Sequence, residues 1–167
     1  MYDELTEVDI QKMREEIDYR VRVLRPKLIE DVQTARGFGD LSENFEYKCA
    51  KQEKNRNESR IRYLERMIRT AKVISAGSQA DVVGLFDRVV VFHEKLGREM
   101  TLRVVTTLRQ DARQGLISKE SPVGKALLGR RVGERVLVRV SPELSYHLEI
   151  RSLEKGEDDR SLDISAY

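Results

Sequence analysis

Residues 37–47 read Gly37-Phe38-Gly39-Asp40-Leu41-Ser42-Glu43-Asn44-Phe45-Glu46-Tyr47. Two glycines and a run of short polar residues break the chain there, between two long stretches of helical periodicity. Upstream, apolar positions fall at Ile10, Met13, Ile17, Val21, Leu24, Leu28, Val32 and Ala35. Steps alternating between three and four residues are a helical stripe. Thr6 with Asp9 approximates a capping box at its start. Pro26 lies inside the stripe, which continues past it, so it marks a kink rather than an end. Downstream the stripe is Ala50, Asn57, Ile61, Leu64, Ile68 and Ala71, with Lys54 at the skipped position. Two antiparallel helices follow, with Leu24 and Leu28 set against Ile61, Leu64 and Ile68 and the seam thinning toward the turn. At about 1.5 Å per residue, arms of roughly 30 residues reach ~45 Å, too long for a small core, so the hairpin is expected to project.

Periodicity changes after Ser75-Ala76-Gly77-Ser78, the expected linker. Stretches 88–94, 99–106, 135–140 and 145–153 are β-branched-rich or alternating and read as strands. One short helix lies among them, with Ser121 as cap, Pro122 first, Ala126, Leu127 and Leu128 toward the sheet and Gly129 at its end. The fold class is therefore α+β: a helical hairpin over 1–77, a compact domain over 78–156 and a mobile tail over 157–167.

Composition supports two modest parts. The 167 residues are 36% charged, lack tryptophan and carry a formal net charge of +2. Bulk charge thus gives no sign of a nucleic-acid binder. The near-neutral total hides a segregation. Residues 1–43 hold 7 Lys/Arg against 11 Asp/Glu, and residues 44–77 hold 9 against 4. The second arm is a basic edge beside an acidic tip. The single cysteine, Cys49, fits a reducing compartment. An acidic beginning and the lack of a long apolar run point to a cytoplasmic protein without membrane contact.

Asp40 and Glu43 are the candidate catalytic and metal-binding residues. Carboxylates suit Mg²⁺, which takes one or two of them together with phosphate oxygens and water. Two on a turn cannot hold the ion alone, but they can complete a site supplied by another molecule. In a two-metal phosphodiester cleavage, that second site is where such ligands act. The basic edge, Lys48, Lys51, Lys54, Arg56, Arg60 and Arg62, would hold a nucleic-acid strand by its phosphates. The same Asp40-x-x-Glu43 spacing is also a capping pattern, with Asp40 as cap and Glu43 complementing the helix dipole. His93 and His147 lie in expected strands without partners at metal-ligand spacing and read as structural.

Gly39-Asp40-Leu41-Ser42-Glu43-Asn44-Phe45-Glu46-Tyr47 resembles the tip signature of the bacterial Gre transcript cleavage factors, GreA and GreB. Further matches are Arg25-Pro26, Ala71-Lys72-Val73-Ile74 and residues 117–129, and the likeness extends to about residue 155. The resemblance implies a coiled coil entering the secondary channel of bacterial RNA polymerase and an FKBP-like domain gripping the channel rim. It implies a monomeric accessory factor, not itself an enzyme. Asp40 and Glu43 would help place a second Mg²⁺, held jointly with the polymerase, which then cuts backtracked nascent RNA near its 3′ end. Tyr47 matches a tip aromatic, and the basic arm matches an RNA-contacting patch, so the resemblance implies Tyr47, Lys48, Lys51, Lys54, Arg56 and Arg60 as the RNA-binding residues. Phe45 departs from the family, which often has a small residue there. The stretch Leu108-Arg109-Gln110-Asp111-Ala112-Arg113 is less acidic than the family's, which bears on rim contacts. Three other readings compete: a channel-occupying paralogue without cleavage activity, a coiled-coil scaffold, and a free-standing metallonuclease. The intact acid pair argues against the first and the shortage of ligands against the last.

Overall fold

The computed structural model describes residues 3–39 and 44–166. The chain divides into two compact units, Ile10–Ala71 and a second made of Met1–Asp9 with Lys72–Tyr167. The first residues therefore belong with the sheet unit rather than with the hairpin. A two-residue strand β1 (Glu4–Leu5) explains this, because it pairs in parallel with β2 (Lys72–Val73). Pairs this short leave no alternation to read in a sequence.

Helix α1 (Glu7–Tyr19) starts at the expected capping box. The Thr6 amide donates to Asp9 Oδ2 at 2.9 Å, and the Asp9 amide donates to Thr6 Oγ1 at 3.4 Å. A π-helical segment, Arg20–Leu24, joins α1 to α2 (Arg25–Arg36). Proline has no amide hydrogen and its ring presses on the carbonyl four residues back. The wider turn, in which the Arg25 amide donates to Arg20 O, takes up that conflict one residue before Pro26. The helix accordingly continues, as the stripe implied. After the turn, α3 (Phe45–Thr70) forms the second arm.

The second unit is a five-stranded sheet with one short helix. The strands are β3 (Arg88–His93), β4 (Arg98–Val105), β5 (Leu116–Ser118), β6 (Arg135–Arg139) and β7 (Ser145–Glu154), in the order β5-β4-β3-β7-β6. All pairs are antiparallel except β4 with β5. Helix α4 (Pro122–Leu127) is capped as expected, the Gly124 amide donating to Ser121 Oγ at 3.0 Å. A Cβ on Gly124 would stand 2.2 Å from Ser118 O, so only glycine allows the helix this close to β5. Val89, Val91, Val104, Leu127, Val138, Leu148 and Ile150 form the core. The α+β class and the hairpin-plus-sheet organisation expected from the sequence are what the structure has; β5 was not anticipated.

His93 is buried, accepts from the Leu96 amide at Nδ1 and stacks on Tyr146 with ring centres 4.4 Å apart. Arg109, from the stretch weighed for rim contacts, is fully buried. Its Nε donates to Asp9 Oδ1 at 2.7 Å, its Nη1 to Asp159 O at 2.8 Å and its Nη2 to Asp158, and it lies 4.5 Å over the Phe86 ring. That side chain cannot serve a docking surface. The residues set apart as a tail join the same network. The Ser165 amide also donates to Leu108 O at 2.6 Å, and Gly156 closes on Asp87 Oδ1 at 2.9 Å.

Candidate functional site at the hairpin turn

Asp40, Leu41, Ser42 and Glu43 lie outside the described residues, and with them both carboxylates singled out from the sequence. The structure does describe what flanks them. Helix α2 ends at Arg36, with Gly37 as its C-cap. The cap of α3 is Asn44, whose Oδ1 accepts from the Tyr47 amide at 2.9 Å. Capping of the second arm therefore falls to Asn44 and not to Asp40, contrary to the capping pattern read from the sequence. The reason is positional. The acceptor must sit three residues before the amide it takes, and Asn44 to Tyr47 is that distance at the observed helix start.

Asn44 also works in the other direction. Its Nδ2 donates to Ala35 O at 2.6 Å. Ala35 belongs to the last turn of α2, and its carbonyl also accepts from the Phe38 amide at 3.1 Å. One amide side chain thus accepts from an amide at the start of one arm and donates to a carbonyl at the end of the other. It closes the base of the segment that carries Asp40 and Glu43.

Tyr47 is half-buried, with the Arg36 guanidinium 5.6 Å from its ring centre. A hydrogen bond from Arg36 holds its hydroxyl below the usual phenol range. Burial opposes this, and the charges of Lys51, Arg36 and Lys54 reinforce it. Among the candidate RNA-binding residues, Lys48, Lys51 and Arg56 are exposed and Lys54 is half-exposed. Arg56 carries a 3.2 Å ion pair to Glu53 on the same helix.

Arg60 corrects the sequence reading. It is 5% exposed, and its Nε donates to Glu16 at 2.7 Å across the hairpin. It is a seam residue, unavailable to a strand of RNA. Around it the seam is polar. Arg20 Nη1 donates to Asn57 Oδ1 at 3.0 Å, and Asn57 Nδ2 donates back to Arg20 O at 3.2 Å. Arg25 forms a two-pronged pair with Glu58 at 2.7 and 3.0 Å. Burial pushes Glu16 up, but the hydrogen bonds and charges of Arg60 and Arg20 outweigh it and hold the carboxyl below its ordinary value. Arg25 does the same for Glu58.

These ties also correct the expected helix register. Arg25 is level with Glu58 and Ala35 with Asn44, so Leu24 and Leu28 lie beside the Lys54–Glu58 part of α3. Ile61 and Leu64, both buried, face the earlier part of the first arm.

Among the described residues no group of three or more His, Cys, Asp or Glu side chains could hold a metal ion. None of their helices is long and apolar enough to cross a membrane. Two carboxylates, Asp40 and Glu43, suit a hard cation but leave most of its ligands to be supplied from elsewhere.

Comparison with known proteins places the chain. Residues 4–73 match the family model described as "Transcription elongation factor, N-terminal". Residues 78–155 match "Transcription elongation factor, GreA/GreB, C-term". The chain is similar to transcription elongation factor GreA of Geobacillus kaustophilus, 43% identical over 136 residues that cover 81% of this chain and 86% of the relative. It is also similar to GreA of Bacillus subtilis, 41% identical over 129 residues, covering 77% and 82%. A solved structure of GreA factor homolog 1 from Thermus thermophilus aligns at 25% identity, covering 93% of this chain and 100% of the other, with a TM-score of 0.42. With family models matching nearly the whole length, the chain belongs to the GreA/GreB family of transcription elongation factors.

Proposed function

We propose that this chain binds bacterial RNA polymerase in the cytoplasm and stimulates the polymerase's own cleavage of backtracked nascent RNA. The sheet unit docks on the polymerase, and the hairpin brings Asp40 and Glu43 to the reacting phosphodiester. The observation that most supports this is the cap of α3. Asn44 does the capping, so the two acids just before it are not needed to start the helix. The chain is an accessory factor on this reading, acts as a monomer and lends ligands to a catalyst that is not its own.

Mg²⁺, when bound jointly with the polymerase, would stabilise charge on the phosphate and activate the attacking water. This chain's part is narrower. Asp40 and Glu43 offer carboxylate oxygens to the ion and its water, and Asn44 holds the two arms together at their base. Lys48, Lys51 and Arg56 present positive charge along α3, where a displaced strand's phosphates would run. Support for an RNA contact comes from their exposure.

The experiment uses stalled, backtracked elongation complexes with Mg²⁺ and this protein, and follows RNA shortening from the 3′ end. Asp40→Asn or Glu43→Gln is expected to leave polymerase binding intact and to slow cleavage at least about tenfold. A tenfold change corresponds to ~1.4 kcal/mol of lost transition-state stabilisation. Wild-type rates in both variants would sink the metal-ligand role. Binding without any cleavage by the unaltered protein would favour a channel-occupying regulator.

A further inference from the structure

Phe45 is the first residue of α3 and is 75% exposed. Nothing about starting a helix calls for a phenylalanine there. Behind it, at alternating steps of three and four, stand Lys48, Gln52, Asn55, Ser59 and Arg62, all exposed. No carboxylate falls on this stripe. The acids of α3 lie off it, and two are engaged elsewhere, Glu53 with Arg56 and Glu58 with Arg25. An aromatic face followed by amides, a hydroxyl and bases, without negative charge, is the chemistry of a single-strand track. Stacking takes the bases, and the cations take the phosphates. On this helix face Tyr47 is already engaged with Arg36, and Phe45 is the exposed ring at the head of the stripe.

We propose that Phe45 is a base-stacking residue. Its ring takes the face of a nucleobase of single-stranded RNA whose phosphates follow the stripe from Lys48 to Arg62. The proposal rests on the reading that the hairpin meets RNA, and it adds a residue and a mode of contact. Stacking is tolerant of sequence because every base has a π face, so the contact grips RNA without selecting it. It is also insensitive to salt, unlike the phosphate contacts beside it.

The test uses the full-length protein and a single-stranded RNA decamer carrying 2-aminopurine, a base whose fluorescence is quenched on stacking. Binding is titrated over a series of salt concentrations. The unaltered protein is expected to quench. Phe45→Ala is expected to abolish the quench and weaken binding at least about fivefold at every salt concentration, the low end of a base–aromatic stack. Its salt slope stays unchanged, and Phe45→Tyr retains the quench. Lys48→Ala with Arg62→Ala is expected to flatten the slope by roughly 0.7 per lost phosphate contact and to keep the quench. Phe38→Ala is the matched control, since Phe38 is 65% exposed on the other side of the turn; it is expected to change nothing. Unchanged binding and quench in Phe45→Ala overturn the proposal and assign the ring to a protein surface. No binding at low salt, or equal loss from both phenylalanines, overturns it as well. Asp40→Asn should quench normally, so a failure of metal donation and a failure of stacking are read separately.

Discussion

Asn44 permits a test in which stability and activity part company. Asn44→Ala removes the cap, worth about 0.5–2 kcal/mol. It also removes the bond to Ala35 O, worth about 0.5–1.5 kcal/mol. The sum is roughly 1–3.5 kcal/mol for the hairpin unit, and at about 4–8 °C per kcal/mol its melting midpoint falls by at least ~4 °C. Asn44→Asp is the sharper variant. A carboxylate keeps the acceptor for the Tyr47 amide and gains about 0.3–1 kcal/mol from the helix N-terminus. It cannot donate to Ala35 O. The gain and the loss nearly cancel, so circular dichroism at 222 nm should show a helix as stable as in the unaltered protein. The tie across the base of the turn is nonetheless gone. If that tie positions Asp40 and Glu43, cleavage of backtracked RNA should drop while polymerase binding holds. Displacement by about 1 Å can cost on the order of a hundredfold, and at least fivefold is roughly the expected loss. Asn44→Asp cleaving at the unaltered rate would refute the positioning role and leave Asn44 as a cap alone.

Other consequences follow from the same contacts. Glu16 and Glu58 have folded pKa values depressed below the ordinary 4.5. The stability they contribute is therefore present above that value and lost as pH falls through the depressed folded values; a hairpin whose helicity is flat from pH 6 down to pH 2 would contradict this. Replacing Lys48, Lys51 and Lys54 by Glu should weaken activation on long backtracked RNA more than on short, by a margin that shrinks with salt. Equal loss at all lengths would indicate a docking defect instead. Arg109→Leu leaves Asp9 buried without its partner, a change that costs about 3–5 kcal/mol in such pairs. It should also release residues 157–166 to proteolysis, and an unchanged digestion pattern would show that Arg109 does not retain them.

What the sequence disclosed and what it hid divide along one physical line. Contacts within about four residues leave a period or a capping pattern behind them, so the stripe through Pro26, the Thr6–Asp9 box and the Ser121-Pro122 helix were all legible. The cap of α3 lay at the limit of that resolution, because Asp40-x-x-Glu43 fits the capping pattern and only the observed start of the helix assigns the role to Asn44. Distant partners leave no such trace. Arg60 looks like one more base on a basic arm until Glu16, 44 residues away, is found against it. Arg109 reads as a surface residue until Asp9, 100 residues away, is seen to take its Nε. In both cases a buried guanidinium needs a carboxylate to offset lost hydration, and the carboxylate comes from another element. This bears directly on the site. Charge counting alone treats every base on α3 as a possible phosphate contact. Once Arg60 and Tyr47 are assigned to their partners, the exposed candidates narrow to Phe45, Lys48, Lys51 and Arg62, with Lys54 half-exposed and Arg56 shared with Glu53. The contacts that hold the arms together thus decide which side chains remain exposed for the proposed RNA contact, and whether a basic residue on this hairpin is available follows from the partner it already has.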